Sequence, residues 1–85
     1  MSKTKKLLAA AQNNPRGLRF AELLRLIAAA GFVERRQVGS HRIFSHATRS
    51  EVPMLNLQEA ANGMAKPYQV EQVFEWIETF DLEVL

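Results

Sequence analysis

A chain of 85 residues, 47% hydrophobic and 24% charged, suits one small globular domain and excludes both wholesale disorder and a large internal active-site cavity. The absence of cysteine rules out disulfides and thiolate metal sites and fits a reducing cytoplasm, while no apolar run is long enough to cross a membrane. The net charge of +2 conceals a bipolar chain, because residues 1–50 carry ten Lys or Arg against Glu22 and Glu34, whereas residues 51–85 carry Lys66 against seven acids.

A basic half suits a polyanion such as RNA. An acidic half suits solvation, self-association with a basic face into a homo-oligomer, or repulsion of the wrong ligand. In chain order, Ser2 is a plausible N-cap, and Lys3 to Gln12 reads as a short helix with Leu7, Leu8 and Ala11 on one side. Lysines ahead of Leu7-Leu8 resemble the start of a signal peptide, but the apolar run is too short and Gln12-Asn13-Asn14-Pro15 ends it. Asn13 to Gly17 is a cluster of helix breakers, so residues 1–15 are taken as an accessory helix and linker and residues 16–85 as the domain.

Phe20, Leu23, Leu24, Ile27 and Ala28 follow the spacing of an amphipathic helix, which Gly31 stops. Phe32 to Gln37 then reads as a strand with Phe32, Glu34 and Arg36 on one face and Val33, Arg35 and Gln37 on the other. Gly39-Ser40 is a pair that closes a two-residue hairpin with glycine at its first central position. His41 opens the next strand, sharing a face with Ile43 and Ser45, while Arg42, Phe44 and His46 share the other. The two histidines therefore point apart and do not form an acid-base pair, and with no Asp or Cys beside them no metal or other cofactor is assigned. Val52 to Leu57 reads as a third strand, Asn62-Gly63 as a tight turn, and Pro67 as the first turn of a last helix. That helix presents Val70, Val73, Phe74, Ile77 and Phe80 to the core and Gln69, Glu71, Gln72, Glu75 and Glu78 to solvent.

The run Gly31-Phe32-Val33-Glu34-Arg35-Arg36-Gln37 followed by Gly39-Ser40-His41-Arg42-Ile43-Phe44 resembles the centre of the HicA family of bacterial toxins. Leu55-Asn56-Leu57-Gln58 and Ala65-Lys66-Pro67-Tyr68-Gln69-Val70 resemble a longer branch of that family with an added N-terminal segment. The resemblance covers about residues 16–85. It implies a small RNA-cleaving toxin with a double-stranded-RNA-binding-like fold, His41 as its catalytic residue, and a cognate HicB-like antitoxin. The last helix departs from the shorter members, in which it is more basic.

The order of elements read from the residues, a helix, three antiparallel strands and a helix, is α+β and is shared with double-stranded-RNA-binding domains. By itself it licenses RNA binding; His41 is what raises a metal-independent endoribonuclease acting on mRNA above a non-catalytic RNA-binding module. Imidazole titrates near neutral pH and exchanges protons with RNA hydroxyls, and Arg36, Arg42 and Lys66 are candidate phosphate clamps, each equally readable as a solvated charge. A third class, a protein-interaction domain working through Trp76, Tyr68 or the first helix, predicts no salt-sensitive RNA affinity.

Overall fold

The computed structural model describes residues 3–85, so the cap expected at Ser2 lies outside the described residues. Helix α1 spans Lys3–Asn13 and a 3₁₀ turn Pro15–Gly17; α2 is Phe20–Ala29, β1 Phe32–Val38, β2 His41–His46, β3 Leu55–Gln58 and α3 Pro67–Thr79. The strands form one antiparallel sheet in the order β1-β2-β3, which gives the expected α+β, double-stranded-RNA-binding-like succession with α1 added in front.

The start of α2 has no Ser, Thr, Asp or Asn cap, and Glu22 takes over that task. Its Oε1 accepts the Arg19 N–H at 2.9 Å, satisfying one of the amides left without an intrahelical partner. The buried stripe of α2 is Phe20, Leu23, Leu26 and Ile27; Leu26 lies in the core while Ala28, expected there, is exposed. Leucine has much more apolar surface to remove from water than alanine, which favours this rotation of the helix.

Phe32, Phe44, Leu55 and Leu57 supply the sheet's share of the core, and Val70 and Val73 supply that of α3. Ala11 of α1 is buried in the same cluster, with Leu7 and Leu8 packed against it. A fully enclosed Leu such as Leu55 contributes about 1.5–3 kcal/mol by its burial. The loop before α3 is pinned to the residues before α2: the Phe20 N–H donates to the Gly63 carbonyl at 3.1 Å, and the Ala65 N–H to the Leu18 carbonyl at 2.9 Å. Gly63 has φ +83°, as the Asn62-Gly63 turn requires.

Two sequence expectations shift. The third strand begins at Leu55 rather than Val52, because β2 pairs with β3 only from His41 to Phe44 and Pro53 has no N–H to offer a ladder. The Pro53 carbonyl instead accepts the Trp76 indole N–H at 3.0 Å. Gln69, expected on the solvent side of α3, is buried; its Oε1 accepts the Gln58 backbone N–H at 3.2 Å and so satisfies an outward amide of edge strand β3.

His46 is bound into the fold. Its Nδ1 accepts the N–H groups of Thr48 and Arg49 at 3.2 and 3.1 Å, so its hydrogen is on Nε2, which donates to the Ala30 carbonyl at 3.0 Å. The ring meets Phe32 edge-on and lies over Gly31, where a β-carbon would fall 2.5 Å from Nε2. Gly31 also has φ +98°. Gly31→Ala is therefore expected to destabilise the protein by more than about 1 kcal/mol, a drop of at least roughly 4 °C in thermal midpoint for a domain of this size. An unchanged midpoint in a calorimetric or circular-dichroism melt would show that the imidazole is not seated there.

Candidate active site

Val38 and His41 face each other across a two-residue turn in which Gly39 has φ +61° and Ser40 does not enter the left-handed region. This is the type II′ arrangement, whose twist matches the strands it joins. A β-carbon on Gly39 would meet nothing within 4 Å, so backbone conformation rather than space requires glycine.

The turn sets His41 at the start of β2, exposed, on the sheet face away from the core. Its Nδ1 lies 3.1 Å from Asn56 Oδ1. An amide oxygen only accepts, so Nδ1 carries the hydrogen and Nε2 is left as the basic nitrogen. Asn56 is a site residue that no motif in the sequence marks. The alternation Leu55-Asn56-Leu57 is the signal, because it puts a residue poorly suited to strands on the outer face of β3, beside the histidine strand.

A β-bulge at Arg35 changes the phase of β1. Glu34 opposes Phe44, but Arg36 opposes Ile43, so Arg36 lies on the outer face with His41 and not, as strict alternation predicts, beside Phe32 and Glu34. Lys66, 25 residues beyond His41 in sequence, is brought to the same end of the sheet. Its Nζ donates to Gln58 Oε1 at 3.0 Å, and Gln58 Nε2 donates to Ser40 Oγ at 2.8 Å. Gln58 is also the cross-strand partner of His41.

Arg42 is placed elsewhere. It projects to the core side of the sheet, where Nε and Nη2 clasp the Glu34 carboxylate at 2.9 and 2.7 Å and its guanidinium lies 5.9 and 5.8 Å from the ring centres of Phe20 and Phe44. The hydrogen bond from Arg42 holds the Glu34 carboxyl below the ordinary carboxylate range, and the same bond raises Arg42. The site is an open sheet face, and the described surface clefts do not include His41. Among the described residues no group of three His, Cys, Asp or Glu side chains converges on a metal-sized space. His46, held on the opposite face of β2, is not available to act with His41.

A family model described as HicA toxin of bacterial toxin-antitoxin matches residues 20–74, well over half of the chain. The chain belongs to the HicA toxin family. No curated protein and no solved structure matches it. The matched stretch runs from the first residue of α2 into α3, taking in His41, Asn56 and Lys66 and leaving α1 outside. Membership in this family implies a cognate antitoxin as partner. The chain has no helix long and apolar enough to cross a membrane among its described residues.

The Glu34–Arg42 clasp gives this HicA chain a defined acid dependence. A carboxyl whose folded pKa is lowered adds stability above its unfolded-state range and loses it as pH falls through that range to the folded value. Glu34→Gln is expected to be less stable than the parent at neutral pH, with the gap closing as pH falls through and below the ordinary carboxylate range. Urea unfolding of both proteins across that interval checks it; a gap constant with pH would show that the carboxylate's ionisation is not linked to folding.

Proposed function

We propose that this HicA chain is an endoribonuclease that cleaves mRNA without a metal ion, using His41 as acid and base. The observation that carries the reading is the exposed His41 imidazole, its tautomer set by Asn56, on an open sheet face that also holds Arg36.

RNA contains its own nucleophile, which is why a metal is not needed to generate one. Nε2 of His41 takes the proton of a 2′-hydroxyl; the 2′-oxygen attacks the adjacent phosphorus; the bond to the 5′-oxygen breaks, and the imidazolium returns its Nε2 proton to that oxygen as it leaves, which regenerates neutral His41. The products are a 2′,3′-cyclic phosphate and a free 5′-hydroxyl. Negative charge builds on the equatorial phosphoryl oxygens during attack, and we assign Arg36 and Lys66 as the cations that offset it. Gln58 holds Lys66 toward Ser40 and so toward the turn that carries His41. Asn56 acts as a positioning residue, fixing the ring and stabilising the imidazolium that forms, as an amide does for catalytic histidines in other folds. Arg42, clasped by Glu34 on the opposite face, secures β1 to β2 instead of contacting phosphate. A cytoplasmic location follows from the substrate, and the cognate HicB-like antitoxin acts by covering the basic face around His41 with an acidic surface.

General acid-base assistance is worth about two to four orders of magnitude in rate, which is the loss expected for His41→Ala in a cleavage assay with EDTA present. The variant should remain folded, bind RNA and antitoxin, and lose toxicity. Asn56→Ala should lower kcat less and move the pH–rate profile, and Asn56→Asp, which keeps the acceptor, should restore it. Cleavage at the parent rate by folded His41→Ala protein would end the assignment, and RNA binding without cleavage by the parent would leave a non-catalytic RNA-binding module.

Phosphate neutralisation releases counterions, so binding should weaken steeply with salt and Arg36→Ala should weaken it for all sequences. Affinity independent of salt in a filter-binding series would contradict the electrostatic role of the basic face.

A further inference from the structure

The outer face of the sheet does not end at His41. β2 runs two residues past its last pair with β3, and the loop 47–54 folds around that overhang to form an open cleft of about 500 Å³. Its lining includes hydroxyls from Ser45, Thr48 and Ser50, the exposed apolar side chain of Met54 and the guanidinium of Arg35, with the edge of the His46 ring and the buried Val52 at its floor. Its volume lies within the roughly 300–1,000 Å³ span of small-ligand sites.

Arg35 is the bulged residue of β1, with no cross-strand partner of its own. The bulge sends its side chain across β2, where Nε donates to Ser45 Oγ at 2.6 Å, so the remaining guanidinium nitrogens are held at the cleft. The other arginine there is already engaged, since Arg49 binds Glu51 and the Phe80 carbonyl. Met54 is 61% exposed and Val33, opposite Ser45, is 42% exposed, which gives an apolar surface beside a cation. Arg35 thus pairs a phosphate fork with a wall on which a flat base can lie.

We infer that this cleft is a nucleotide subsite for single-stranded RNA, in which Arg35 binds a phosphate and Met54 flanks the adjoining base. The inference rests on the ribonuclease reading, which supplies the RNA. Ser45 and His41 lie on the same face of β2, four residues or about 13 Å apart, so a ligand touching both spans more than one nucleotide. The concave shape selects for an unstacked strand, because a base within a duplex cannot turn into a recess of this size.

The test is fluorescence anisotropy of labelled RNA with His41→Ala protein as the non-cleaving parent. A single-stranded oligonucleotide and a duplex of the same length serve as probes, at fixed salt. Arg35→Ala and Met54→Asp, both at exposed positions, are each expected to weaken single-strand binding about tenfold or more while changing duplex binding less. Arg25→Ala, an exposed arginine on α2, should leave both unchanged. Parent affinity retained by Arg35→Ala and Met54→Asp would overturn the subsite and leave the ribonuclease reading standing. Equal losses for duplex and single strand would overturn the selection for unstacked RNA and make the cleft a contact for helical backbone. A parent that binds no RNA would remove the ribonuclease reading and the subsite with it.

Discussion

Strand β2 is the centre of the sheet, paired along both edges, and its two-residue side-chain period determines what the rest of the molecule can do. Phe44 must enter the core, and once it does, every second residue from it is committed to the same side. His46 is drawn inward, onto Gly31 and Ala30, and His41, an odd number of residues from Phe44 and from His46, is left on the open face. The difference between a histidine that holds the fold and one available for chemistry is thus one of parity on a single strand. Slipping β2 by one residue would exchange their surroundings and expose the core face at the same stroke.

The electrostatic layout follows from the same ladder. Glu34 and Arg42 lie on the core face, diagonal neighbours across β1 and β2, and neutralise each other at its margin. Arg35 and Arg36, thrown to the outer face by the bulge, have no acidic neighbour in an ion pair among the described residues. Acidic side chains are instead concentrated on α3 and the segment after it, where Glu71, Glu75, Glu78, Asp81 and Glu83 lie. A polyanion meets attraction at the open sheet face and repulsion along α3.

Much of this was legible in the residues. Gly39-Ser40 fixed the centre of the hairpin, Gly31 the end of α2 and Pro67 the beginning of α3, because each of these residues has a conformational preference strong enough to act locally. The opposition of His41 and His46 followed from counting. The bulge did not, for a physical reason: it falls within Glu34-Arg35-Arg36-Gln37, four polar residues in succession, so no apolar side chain marks the point where the alternation changes phase. Gln69 was misplaced because its burial is justified by one backbone amide on a strand eleven residues earlier, a requirement created only by the tertiary fold. Asn56 is harder to find, because the residue it serves sits on the neighbouring strand and the cross-strand register that joins them is set by the fold.

The bulge at Arg35 also changes how β1 meets other molecules. β1 forms one border of the sheet, and seven residues of free border are long enough to recruit a strand from another chain. An inserted residue interrupts the even spacing of amides and carbonyls that such recruitment needs, and three consecutive charges, Glu34, Arg35 and Arg36, stand at the interruption. The same extra residue that turns two arginines toward the open face therefore protects a small protein with a thin core from aggregating along its exposed border.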